Sequence, residues 1–382
     1  MRKILLLFLF LSTFLSAYSQ RLIYSSDYPV EKIRIILEQL RGGTVSENLT
    51  DLEYIPLGGG KNDIIDFISN IIITPNNIGI ISNSNQNLYI YDLKGNLIKR
   101  ISEIEGFKPK NKVLFYNIQQ EKGKIVAYGD KLKVVFNEKG EILEKNLDYK
   151  YMGTKTFVSL QDTKFYYGSP ATGKKDSLPE YGLKMNDSIL VRYDPRDTIG
   201  FMFANGDEII KTSEEIGFAV FPNTYRVAQL NPKGVSKIIQ FVFPYKNTVD
   251  TSNYDMYKTV QSYFNFMENN RDKITSITDA KRYKQYLLFQ VIGSTPTRIA
   301  LNLTNNEIIS LNKILPDKSN DFMEFLGYND METDGEYIYS IIYPNDVAKA
   351  KEKSKIEGHN IRKEYLQLEK SLNPILVRFK LK

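Results

Sequence analysis

The sequence contains one hairpin turn five times. In Tyr89-Ile90-Tyr91-Asp92-Leu93-Lys94-Gly95-Asn96-Leu97-Ile98 an alternating apolar strand runs into Asp, reaches Gly three residues later, and continues as a second strand. The same text returns around Asn137 and Gly140, around Asp194 and Asp197, and around Asn231 and Gly234. A weaker fifth copy is centred on Asn302 and Asn305. An Asp or Asn side chain accepts from the backbone two residues on and opens a turn. The later position holds the residue types that accept the left-handed conformation a tight hairpin requires. Pro195 and Pro232 supply a fixed φ for the first corner.

The later positions are 45, 57, 37 and 71 residues apart. A period near 40 to 50 with several strands per unit predicts an all-β, six-bladed β-propeller of four-stranded antiparallel blades. The first unit reads as strands at 64–73, 77–83, 87–92 and 96–102, and the second as 113–121, 124–128, 131–136 and 141–147. Four more units follow, over about 149–204, 206–244, 272–312 and 322–382; the strands of the last are expected at 323–331, 335–343 and 374–381. The third carries a Gly/Pro/Ser-rich excess at 168–187. Two helical insertions are expected, at about 252–269, where Tyr254, Tyr257, Gln261, Phe264 and Met267 fall at helical spacing, and at 345–371. A sandwich or two small barrels would also give many short strands. Neither explains near-identical turns at a quasi-regular spacing. The last unit lacks a fourth strand, and 51–57 stands as a strand before the first complete unit. Pairing of 51–57 with 374–381 is therefore expected to close a single domain over 49–382, preceded by an N-terminal segment at 20–48.

Residues 1–19 read as an export leader: Arg2 and Lys3, an apolar run from Ile4, then Ala17-Tyr18-Ser19 before Gln20. Of 382 residues, 51 are Lys or Arg and 45 are Asp or Glu. Removing the leader takes Arg2 and Lys3, so the remaining charge is 49 − 45 = +4, with no basic stripe for nucleic acid. There is no Cys and no Trp, and His359 is the only histidine. Disulfides, thiolate chemistry, multi-His metal centres and a lipid-bearing cysteine are thereby excluded, as are WD-type repeats. The lack of internal Gly-Gly pairs excludes kelch repeats.

The phrase Asp51-Leu52-Glu53-Tyr54-Ile55-Pro56-Leu57, the stretch Asn87 to Ile101, Asp334-Gly335-Glu336-Tyr337-Ile338-Tyr339 and the ending Asn373 to Lys382 resemble the six-bladed β-propeller proteins of Bacteroidota. The resemblance spans nearly the whole chain after the leader. It implies an exported protein, often lipid-anchored and encoded near uptake systems for glycans or peptides, with no assigned biochemical role. This chain lacks the anchoring cysteine, and Gly58-Gly59-Gly60 stands where relatives carry an acidic, threonine-rich turn. In that bacterial group Asp-Ser/Thr-apolar triplets are O-glycosylation sites, which Ser177, Ser188 and Thr198 match. The sequon at Asn48 carries no such meaning there.

Other constellations are weak. Asp330, Glu332, Asp334 and Gly335 imitate the opening of a calcium loop, but the twelfth position is Ile341. Gly58-Gly59-Gly60-Lys61 lacks phosphate-loop spacing. His359 reads as an exposed helix break with no orienting carboxylate nearby in sequence. Tyr166-Tyr167 is an adjacent pair, of which one ring is expected outside. No catalytic residue, metal ligand or cofactor is assigned. The expectation is a monomeric periplasmic or secreted module, free of any membrane anchor, that binds a protein or a small or oligomeric ligand. Loops on one face, marked by the insertions at 168–187, 245–271 and 345–371, would carry the site. The alternative is a propeller-type glycoside hydrolase or lyase using carboxylate, Tyr, Lys or Arg side chains at the channel mouth.

Overall fold

The turns order the strands. In the computed structural model, which describes residues 28–108, 114–149, 157–168, 182–186, 188–192, 209–221, 224–249, 259–327 and 331–382, Asp92 Oδ1 accepts from the backbone N–H groups of Lys94 (2.8 Å) and Asn96 (2.9 Å). Asn137 does the same for Lys139 and Glu141, Asn231 for Lys233, and Asn302 for Thr304. Gly95 and Gly140 take φ of 83° and 71°. Gly95 also has no room for a side chain, since a Cβ there would lie 2.3 Å from the Pro56 carbonyl oxygen.

Two turns differ from expectation. The fifth is left-handed at Asn306 (φ 58°), not Asn305, because its connection is one residue longer and Asn306 N–H bonds back to the Asn302 carbonyl. In sheet three a left-handed residue that the sequence pattern did not single out, Asn186 (φ 48°), stands between Gly182–Met185 and Ser188–Arg192. Asn186 is pinned there by exchanging hydrogen bonds with Lys164. The copy at 193–197 lies outside the described residues. With Asn186 and Asn306 in place, the left-handed positions at 95, 140, 186, 234 and 306 are 45, 46, 48 and 72 residues apart.

The strands form six sheets, each with four antiparallel strands in an all-β propeller arrangement. Sheet one is Ile68–Ile73, Asn77–Ser82, Leu88–Asp92 and Leu97–Ile101. Sheet two follows from Asn117–Glu121 to Ile142–Asn146, and sheet three from Phe157–Leu160 to Ser188–Arg192. Sheet four runs from Ile209–Lys211 to Gly234–Val242, and sheet five from Ser276–Tyr283 to Ile308–Leu315. Sheet six is Glu332–Thr333, Ile338–Ile342 and Ile375–Leu381, with Leu49–Pro56 as its outer strand. That last pairing is antiparallel, with Ile55 opposite Leu376 and Tyr54 opposite Val377. Apolar clusters join sheets one and two, three and four, four and five, five and six, and six and one.

The segment before residue 49 carries strands that the sequence pattern did not show. Val30–Arg34 lies parallel against the outer strand of sheet four, and Arg41–Thr44 parallel against that of sheet five. Ile33 and Ile35 are buried there. Sheet six begins later than the expected 323–331, because Asp317 caps a short turn at Lys318–Asn320 and Met323 and Phe325 drop into the core. The helices also differ from the two expected. The first insertion is helical over Val260–Asn269, capped by Thr259, while 250–258 lies outside the described residues. The second is two helices, Pro344–Ile356 and Lys363–Leu368, broken where Gly358 turns left-handed. A single helical turn, Val45–Asn48, adds a fourth among the described residues.

Candidate functional site

Antiparallel order gives every sheet two ends with different chemistry. From residue 57 onward, the connections from first to second strand and from third to fourth are two to five residues long. Every longer connection leaves from the opposite end, among them 57–67, 102–116, 243–275 and 343–374. The insertions expected at 168–187, 245–271 and 345–371 all depart from that end. The most exposed apolar side chains follow the same division, whereas Ile98, Ile142 and Leu143, less exposed, lie on outer strands beside short turns. Phe67 (63% exposed), Tyr245 (83%), Leu315, Ile356 and Leu372 lie at the long-connection end, and among the described residues no exposed large apolar side chain sits in a short turn.

The paired helices at this end are held by one carboxylate. His359 Nε2 lies 2.6 Å from Asp321 Oδ1, and Arg362 Nε donates to Asp321 Oδ2 at 2.6 Å. Burial alone would raise the Asp321 pKa, but hydrogen bonds from Arg362 and His359 outweigh it and hold the carboxyl below its ordinary value. Asp321 and Phe322 are both left-handed (φ 55° and 57°), a strained pair that the clamp keeps in place. The Arg362 guanidinium also lies over the Tyr365 ring, which meets Tyr54 of the closing strand edge-on. His359 is thus a clamp residue with an orienting carboxylate, not the exposed break expected. Among the described residues no hydroxyl bonds its imidazole, so a nucleophilic relay is not assembled.

At the other end the first strands of all six sheets line a cavity of about 380 Å³ that reaches the short turns at Lys122, Ser213 and Asp334. Its deepest charge is Lys281, 3% exposed. Lys281 Nζ contacts Asp279 Oδ1 at 2.7 Å, and Glu332 Oε1 and the Met331 carbonyl at 2.5 Å each. A bulge places Asp279 in the left-handed region and turns it toward the lysine. Other lining carboxylates are also engaged. Glu121 accepts from Tyr128 Oη and Lys133, Glu214 pairs with Lys211, and Asp334 accepts from Tyr339 Oη. The sequence signal for this network was faint: Asp279 and Lys281 interrupt the apolar alternation of Ile277 to Tyr283.

The remaining sequence candidates separate. Glu332 and Asp334 of the imitated calcium loop serve Lys281 and a turn, respectively, since Asp334 Oδ1 accepts from the backbone of Glu336 and Tyr337. Asp330 lies outside the described residues, and among those described no three acidic or histidine side chains converge as metal ligands. Gly58 N–H bonds the Gly95 carbonyl and Gly60 N–H the Asp63 carboxylate, so the triple glycine is a packed crossing from the closing strand to sheet one. Ser177 and Thr198 lie outside the described residues. Ser188 begins a strand opposite Met185, and its side chain is outside the description. Tyr166 is buried, and the Tyr167 side chain is likewise outside the description.

No family model and no curated protein matches this chain. Solved structures do. A Bacteroides fragilis protein whose name marks it as exported is similar at 14% identity and a TM-score of 0.67, over 92% of this chain and 99% of its own. A DUF4221 family member from Bacteroides vulgatus is similar at 12% identity, over 87% and 97%, with a TM-score of 0.40. The first likeness shows a shared fold over nearly the full length of both chains. Among the described residues no helix is long and apolar enough to cross a membrane.

Proposed function

We propose that the chain is an exported, non-enzymatic binding module that presents its long-connection end to a protein partner. In this reading the six sheets are the blades of one closed ring, and residues 1–19 are its export leader. The observation that carries the proposal is that the five most exposed large apolar side chains, Tyr245, Ile356, Phe67, Leu315 and Leu372, all lie at the end that also bears every long connection. Apolar surface gathered at one end of a disc fits protein association. A hydrolase or lyase reading is disfavoured because the carboxylates Glu121, Glu214, Glu332 and Asp334 of the cavity are each engaged within the chain. The B. fragilis protein of the same fold, named as exported, supports the compartment.

The test is affinity capture from a cell-envelope extract with wild type and a Phe67→Ser/Tyr245→Ser variant. A partner retained by wild type and lost by the variant, at unchanged melting temperature, is the expected result. Equal capture by both proteins, or none by either, rejects this face as the binding surface.

A further inference from the structure

The cavity at the short-turn end has its own chemistry, independent of the partner face. Its carboxylates are spent within the chain. Both Glu121 oxygens are taken, by Tyr128 Oη and Lys133, and both Asp334 oxygens, by Tyr339 Oη and the backbone N–H groups of Glu336 and Tyr337. Glu214 is paired with Lys211. Lys281 has an acceptor for each of its N–H groups in Asp279, Glu332 and the Met331 carbonyl, so it keeps no donor for a ligand.

Two cations of the lining are not spent, Lys122 and Arg282. The Lys122 side chain makes no ion pair or hydrogen bond among the described residues. It stands in the hairpin turn Lys122-Gly123, where φ of 50° and 75° at the two positions gives a tight turn that holds its backbone. Arg282 Nε donates to the Lys284 carbonyl at 2.9 Å, which orients the guanidinium, and its two Nη nitrogens have no partner among the described residues. A guanidinium held in this way offers an acid group a two-pronged contact. Lys122 belongs to sheet two and Arg282 to sheet five, and apolar clusters lead from one sheet to the other through sheets one and six. The two cations therefore reach the space from different sides. The Gln119, Gln120 and Ser159 side chains also line it without a partner among the described residues, and each can donate to an acid oxygen.

We infer that this cavity is a binding site for a small organic dianion, with Arg282 on one acid group, Lys122 on the other, and Gln119, Gln120 and Ser159 donating to the remaining acid oxygens. An anion entering the space loses water, which is costly, but it meets two unpaired positive charges and no unpaired carboxylate of the lining. A cation meets the reverse, and a neutral ligand leaves both positive charges without a partner. The volume of about 380 Å³ admits a small molecule and not a polymer. Carboxylate and phosphate groups both suit a guanidinium, and the choice of titrants separates them.

The experiment is calorimetric titration of the full chain, at low ionic strength, with succinate and glycerol phosphate, set against succinamide and glycerol as uncharged counterparts. At least one dianion is expected to bind with a Kd of about 1 mM or tighter, and its counterpart at least about tenfold more weakly. The tighter of the two dianions tells which acid group the site takes. Lys122→Gln and Arg282→Gln are each expected to weaken that dianion about tenfold or more at unchanged melting temperature. Lys124→Gln removes a charge from the same turn but outside the lining, and should leave the affinity unchanged. Binding of neither dianion, equal binding of a dianion and its counterpart, or affinity indifferent to both lining substitutions overturns the inference. So does an equal loss with Lys124→Gln, which marks attraction to surface charge at large rather than a site. None of these outcomes bears on capture by Phe67 and Tyr245 at the opposite end.

Discussion

Lys281 is the residue on which the inner wall depends most. Its ammonium is buried between two carboxylates, where mutual attraction offsets a large desolvation cost. Removing one member of such a set is worse than removing all of it, because the remaining charges stay buried. Lys281→Met is therefore expected to lower unfolding free energy by about 3–5 kcal/mol. Adding Asp279→Asn and Glu332→Gln should recover part of the loss, and urea denaturation of the single and triple variants measures the difference. A triple variant no more stable than the single one would contradict this account. Asp321 gives a second test, with a definite sign. Its folded pKa is depressed, so its contribution is present above the unfolded value and fades as pH falls through the folded one. The penalty of Asp321→Asn should be full at neutral pH and should shrink below about pH 4, where the unfolded carboxyl begins to hold its proton. Thermal melts of both proteins from neutral to strongly acidic pH check it.

At the scale of elements, the hairpins were legible because their chemistry is local. Asp92, Asn137, Asn231 and Asn302 each bond a backbone N–H two residues on, as their residue type demands. The copy at Asp194 lies outside the described residues, and turn chemistry alone does not say which two strands a turn joins. The hairpin of sheet three turns at Asn186, a shorter signal without Gly or Pro, and its assignment depends on Lys164 from a neighbouring strand. The outer strands Val30–Arg34 and Arg41–Thr44 were invisible for a related reason. Parallel pairing to an existing edge needs no turn, and Arg41-Gly42-Gly43-Thr44 has no apolar alternation. The clamp was hidden by distance, since Asp321 and His359 are 38 residues apart and meet only when the helices fold back. These differences lead to a test at Asn186. A β-branched residue in the left-handed region is strained, so Asn186→Val should cost about 1–2 kcal/mol, whereas Asn186→Gly should recover most of that backbone cost. Equal stability of the two variants would show that the backbone conformation at 186 contributes nothing.

For the whole molecule the decisive contact joins the two ends of the chain. The last unit shows three strands of its own, and an unpaired strand precedes the first unit, so the two features point to each other. In the structure Leu49–Pro56 lies against Ile375–Leu381, and Arg378 reaches Glu53 across the pair. Immediately beyond, Gly58 bonds to the turn of sheet one at Gly95, so one segment ties sheet six to its neighbour. The same segment buries Ile33, Ile35, Val45, Leu49, Tyr54, Ile55 and Leu57 along sheets four, five and six. At roughly 1.5–3 kcal/mol for each buried side chain, less the entropy of ordering the segment, its removal takes away a share comparable to the roughly 5–15 kcal/mol that stabilises a domain. A chain lacking residues 20–57 is thus expected to lose its cooperative transition and to aggregate through the exposed edge at Ile375, Val377 and Phe379. A chain lacking only 20–44 keeps the closing strand and should unfold cooperatively at a lower temperature. Closure joins positions more than 300 residues apart, so it should form late in folding and be separable from the rest of the chain. A synthetic peptide spanning 28–57, added in trans to the longer truncation, should then restore near-ultraviolet circular dichroism and a sharp melt. If the longer truncation melts like the full chain, or the peptide has no effect on it, closure by this segment is not what holds the molecule together.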